Sequence, residues 1–84
     1  MKKLILNNKL RFRLENVDNE NIIFCYDERI NEYFAMDAKY FEALKLLENG
    51  IIEEDFISAC NNINLDLLIR GLKYRKLITE TEGE

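Results

Sequence analysis

Hydrophobic and polar positions along this chain follow one period in its first part and another in its second. Over Leu10-Arg11-Phe12-Arg13-Leu14 they alternate, the period-2 signal of a strand with one buried face. Ile22 to Tyr26 is a continuous apolar run, which suits a central strand packed on both sides. Glu32 to Met36 (EYFAM) reads as a third short strand. The segments between them, Glu15 to Asn21 and Asp27 to Asn31, are polar and read as turns. Spacing this close predicts an antiparallel meander.

From Asp37 the period becomes helical. Asp37 can cap a helix, because its carboxylate accepts from orphan backbone N–H groups. Tyr40, Phe41, Leu44 and Leu47 share one face of a helix running to about Glu48. Asn49-Gly50 stops it, since glycine takes the left-handed conformation cheaply. A short second helix begins near Glu53. Its acidic first turn (Glu53, Glu54, Asp55) complements the helix dipole, Phe56, Ile57 and Cys60 form its inner face, and Asn61-Asn62 end it. The third helix is predicted from Leu65 to about Leu77. The pattern therefore predicts one α+β domain over residues 1–84, a three-stranded antiparallel sheet followed by three helices.

Composition narrows the chemistry. The 84 residues hold 12 basic and 16 acidic side chains, for a net charge of −4, and no His, Trp or Pro. Without histidine, Ser/His and Cys/His nucleophile pairs and His-based zinc sites are excluded. No phosphate-binding glycine loop, nucleophile elbow or metal-ligand cluster occurs. The expectation is a binding protein, not an enzyme, with no catalytic residues, metal or cofactor. The acidic balance argues against nucleic acid as the partner. Leu4-Ile5-Leu6 is too short for a signal peptide or a membrane span. Cys25 and Cys60 lie in apolar settings without CxxC spacing, which predicts buried thiols in a reducing cytoplasm. The asparagine-, isoleucine- and lysine-rich usage points to a bacterial source.

Two features locate the binding surface. In a meander of three, the first and third strands are both edges. The first carries Lys9, Arg11 and Arg13, which discourage pairing, whereas the third has Glu32 and then Tyr33, Phe34, Ala35 and Met36. An edge this open is expected to receive a peptide strand, or a second copy of the chain. The second feature is the third helix. Leu65, Leu68, Ile69 and Leu72 make a core stripe, and Leu67, Gly71, Tyr74 and Ile78 make another on a different side. Gly71 costs about 1 kcal/mol in a helix interior, a cost that close approach by another chain explains. The same helix is basic, with Arg70, Lys73, Arg75 and Lys76 against Asp66, which suits an acidic partner segment.

The run Tyr26-Asp27, Glu32-Tyr33-Phe34-Ala35-Met36-Asp37, Leu44-x-x-Leu47-x-x-Gly50, Leu72 and Leu77-Ile78 resembles the PqqD-like family. These are the RiPP recognition elements, the leader-peptide-binding domains of pathways that modify ribosomally made peptides. The resemblance covers about residues 8–79 and lies in order and spacing. Asp37 stands where the family usually has Asn, Lys76 where a closing Gly is common, and the usual Pro residues are missing. The resemblance implies a winged-helix-like fold, and the open third-strand edge is compatible with a monomer or an edge-strand dimer. It implies a leader peptide added as a strand along Glu32, Tyr33, Phe34 and Ala35. Leu67, Gly71 and Tyr74 would line pockets for its apolar side chains, and Arg70 and Arg75 would meet its carboxylates. The bound leader would be presented to a radical SAM maturase or to a leader peptidase of the lasso-peptide type. A winged-helix DNA-binding regulator, touching phosphates with Arg70 to Lys76, is the alternative reading.

Overall fold

The meander forms where the alternation places it. In the computed structural model, which describes residues 1–82, β2 (Leu10–Val17), β3 (Glu20–Asp27) and β4 (Glu32–Asp37) make an antiparallel sheet in the order β2-β3-β4. The first turn is much tighter than the polar run from Glu15 to Asn21 suggests. Only Asp18 and Asn19 lie outside the strands, both at positive φ (52° and 68°). That is the primed two-residue hairpin geometry whose twist matches the strands. The register splits the side chains cleanly between two faces. Phe12, Cys25 and Phe34 pair across one inner rung, and Leu14, Ile23 and Met36 across the next. The intervening residues, among them Arg11, Tyr26 and Tyr33, face outward. Phe24, inside the apolar run read as buried on both faces, is 42% exposed.

Asp37 caps as expected, its Oδ1 accepting from the Lys39 backbone N–H at 2.9 Å. What it starts is a single 3₁₀ turn, Ala38–Tyr40, followed by α1 (Phe41–Glu48). α2 (Glu53–Ala59) and α3 (Leu65–Tyr74) follow, and the Asn64 side chain caps α3 through the Leu67 N–H.

A second sheet departs from the expected strand-then-helix order. β1 (Lys2–Leu6), β5 (Ile51–Ile52) and β6 (Ile78–Glu82) form an antiparallel sheet in the order β5-β1-β6. The described part is thus a small α+β domain of two three-stranded antiparallel sheets and three α-helices. Leu4 and Leu6 of β1 join Leu44, Leu47, Phe56, Leu72 and Leu77 in the core. An ion-pair chain ties this sheet to its neighbours. Lys2 reaches Glu80 (3.2 Å) and Glu53 (3.8 Å), and Lys73 of α3 pairs with Glu80. Lys73, and then Lys2, hold the Glu80 carboxyl below its usual range.

The predicted third helix is too long by three residues. α3 ends at Tyr74, and Ile78, expected on its second apolar stripe, belongs to β6. The stop is a Schellman motif. Lys76 sits at φ 60°, its N–H donates to the Lys73 carbonyl, and the Leu77 N–H donates to the Leu72 carbonyl at 2.8 Å. Buried Leu72 and Leu77 are the apolar pair that accompanies this motif. A left-handed lysine is strained by about 1 kcal/mol. Lys76→Gly is therefore expected to raise the unfolding free energy by about 0.5 kcal/mol in urea titration, the relief of strain being partly offset by the freer unfolded chain. An unchanged or lowered midpoint would refute this.

Candidate functional site

β4 has a strand on one side only. On its open side the chain's own α3 stands off and leaves a groove of about 300 Å³. Phe34 and Met36 of β4, Tyr40 after it, and Leu67, Leu68, Gly71 and Leu72 of α3 line it. The lining is mostly apolar. Asp37 and Arg75 are the charged residues of the lining.

Each feature follows from local sequence. Phe34 and Met36 are two residues apart in a strand and so share a face. Gly71 leaves the helix side of the groove bare: a Cβ built there meets nothing within 4 Å. Arg75 is the C-cap residue of α3, and its guanidinium lies over the Phe34 ring at 3.9 Å from the centroid, a cation–π contact that holds the charge against the β4 wall of the groove. In an edge strand, alternate residues turn their backbone N–H and C=O toward the open side. An extended segment can thus gain backbone hydrogen bonds from β4 and apolar burial from α3.

A latch holds the two walls at this distance. Asp27 ends β3 and is 2% exposed. It accepts a two-pronged bond from Arg29, Nε to Oδ1 at 3.0 Å and Nη2 to Oδ2 at 2.8 Å. The same guanidinium donates to the backbone carbonyls of Arg75 and Lys76, each at 2.8 Å. The β3–β4 turn is thereby bound to the C-terminal end of α3. The Arg29 hydrogen bonds hold the Asp27 carboxyl below its usual range against the opposing effect of burial. Sequence reading took Asp27 to Asn31 only as a turn and missed this pair. An acidic residue closing a strand two positions before an arginine was the available signal.

The expected site residues divide into three groups. Phe34, Ala35, Leu67, Gly71 and Arg75 line the groove. Glu32 and Tyr74 border an adjoining hollow of about 490 Å³ with Arg29 and Ile30, which Arg75 shares. Tyr33 lies on the β4 edge with its side chain outside the groove, and the Arg70 side chain lies elsewhere. Tyr33 points to the outer face and stacks on Tyr26, centroids 4.6 Å apart. Arg70 is turned to solvent and paired with Asp66 one helical turn back. Met36, Tyr40, Leu68 and Leu72 were not expected in the lining. They follow once strand parity and helix rotation are fixed.

Cys25 and Cys60 are both buried free thiols. Burial pushes the Cys25 thiol up to about 11, with nearby Arg75 opposing, so it carries no thiolate chemistry at neutral pH. Among the described residues, no helix is long and apolar enough to cross a membrane. The chain matches no family model, no curated protein and no solved structure.

Proposed function

We propose that this protein is a winged-helix-like peptide chaperone of the PqqD-like kind. It captures the leader of a ribosomally synthesised precursor peptide and presents it to a modifying enzyme or a leader peptidase. The observation that carries this reading is the coincidence of an unpaired strand edge with an apolar groove directly beside it. Strand addition supplies affinity through backbone pairing along β4, and the pockets at Phe34, Leu67 and Gly71 supply selectivity. Arg75, a charged residue of the groove lining, would meet a leader carboxylate. The net charge of −4 favours this reading over a DNA-binding regulator, whose phosphate contacts call for a basic surface.

The test is a ¹⁵N-HSQC titration with synthetic leader peptides of precursor genes adjacent to its own, at low and high salt. Saturable shifts concentrated at residues 33–37 and 67–75, little changed by salt, are expected. Silence toward every leader, with salt-sensitive shifts on duplex DNA, would overturn the proposal in favour of a regulator, because phosphate contacts weaken steeply with salt.

A further inference from the structure

The outer face of the β2-β3-β4 sheet touches the groove only at Ala35 and Asp37 on its β4 margin, and it carries exposed apolar side chains of its own. Its four rungs follow from the register: Arg11, Tyr26 and Tyr33; Arg13, Phe24 and Ala35; Glu15, Ile22 and Asp37; Val17 and Glu20. Tyr33 is 80% exposed, Phe24 42% and Val17 40%. Tyr26 and Tyr33 stack on this face, and Phe24 stands on the next rung.

We propose that this face is a homodimer interface, in which two copies stack sheet on sheet with their strands antiparallel. The charge pattern selects the occupant. Arginines occupy the first two rungs, and carboxylates the last two. A two-fold axis parallel to the rungs, between the second and third, lays Arg13 against Glu15 of the other copy and Phe24 against its Ile22. Arg11 then meets Val17, and Tyr26 meets Glu20, so that no two like charges face each other. The other face-to-face two-fold, parallel to the strands, lays Glu15 against Asp37 and opposes two carboxylates. Self-complementarity under one operator and not the other is what an isologous interface requires. In the single chain Arg13 pairs with Glu15 at 2.8 Å and Arg11 with Glu28 at 3.1 Å. Both pairs are solvent-exposed, so exchanging partners costs little. Three strands about 4.8 Å apart and same-face residues about 6.8 Å apart give a footprint of about 400 Å². A standard stable interface buries roughly 800 Å² per partner. The dimer is therefore weak and concentration-dependent. The β4 edge is not paired in it, and Ala35 and Asp37 are the residues that the dimer and the groove share.

Sedimentation equilibrium of the full chain over a wide concentration range tests this, with circular dichroism confirming that each variant is folded. The wild type is expected to self-associate, and Phe24→Asp to abolish association. Arg13→Glu and Glu15→Arg are each expected to weaken self-association about tenfold or more, since each reversal acts twice across the two-fold. Mixing these two variants is expected to restore dimers, because each then faces its opposite charge. Wild-type protein that stays monomeric throughout would overturn the proposal. Dimers that survive Phe24→Asp but are lost on Ala35→Pro would overturn it in favour of pairing along the β4 edge. Failure of the mixed variants to associate would overturn the antiparallel arrangement.

Discussion

Replacing Arg29 with methionine is expected to destabilise the fold by about 3–5 kcal/mol, because it leaves a buried carboxylate without its partner. Asp27 is 2% exposed, and Arg29 is its ion-pair partner among the described residues. The variant also loses the two donors to the Arg75 and Lys76 carbonyls. For a domain of this size the whole stability is of order 5–10 kcal/mol, so the variant is expected to sit near the edge of folding. Urea unfolding at neutral pH measures the loss. The double variant Asp27→Asn/Arg29→Met is expected to recover a good part of it, since the uncompensated charge is gone. A double variant as unstable as the single one would show that the carbonyl bonds, not the buried charge, dominate.

Acid separates these cases further. In the wild type the Asp27 carboxyl is held below its ordinary value of 3.8. A carboxylate that is more acidic in the folded chain stabilises fully above that ordinary value, and the contribution is lost as pH falls below it through the folded value. Wild-type stability is thus expected to drop below about pH 4. Arg29→Met removes the guanidinium and leaves the backbone N–H of position 29 and the nearby Arg75 charge, so the Asp27 carboxyl takes up its proton at higher pH than in the wild type. That variant is expected to lose less stability than the wild type in acid, so its deficit narrows on acidification. A deficit that is constant with pH would refute the pairing argument.

The meander was legible because its information is local. Alternation over residues 10–14 fixes which face of β2 is buried, and two tight turns bring its neighbours alongside. β1 and β6 were not legible. They pair Lys2–Leu6 with Ile78–Glu82, the two ends of the described chain, and no local pattern encodes a contact of that separation. Leu4-Ile5-Leu6 is too short to signal more than an apolar run, and the Ile-Thr-Glu-Thr-Glu alternation begins where a helical stripe also fits Ile78. The end of α3 misled for a physical reason: a lysine, not a glycine, adopts the left-handed stop at position 76. The site divides along the same line. Phe34, Leu67, Gly71 and Arg75 were reached through edge exposure and helix composition. Arg70 was misplaced because helix rotation depends on packing that only the assembled fold supplies.

Filling the groove at Gly71 is expected to abolish leader binding while leaving the fold intact. Gly71 sits in mid-helix with open space where a Cβ would stand, so the position tolerates a side chain on steric grounds. Gly71→Ala is expected to stabilise the protein by up to about 1 kcal/mol through helix propensity alone. It should bind leader nearly as well as the wild type, since a methyl group takes up little of a groove of about 300 Å³. Gly71→Trp gains a comparable backbone benefit, but its indole occupies the space that the incoming apolar side chain needs. On the proposed reading, affinity falls at least about 100-fold, equivalent to about 2.7 kcal/mol. Isothermal titration with a leader that binds the wild type reads the affinity, and urea unfolding reads the stability. The pair of substitutions separates the two roles of the glycine. Loss of binding in Trp but not in Ala assigns Gly71 to the peptide pocket. Loss in both would assign it to backbone approach closer than any side chain allows. Retention in both would place the bound strand away from α3 and remove the groove from the proposed function.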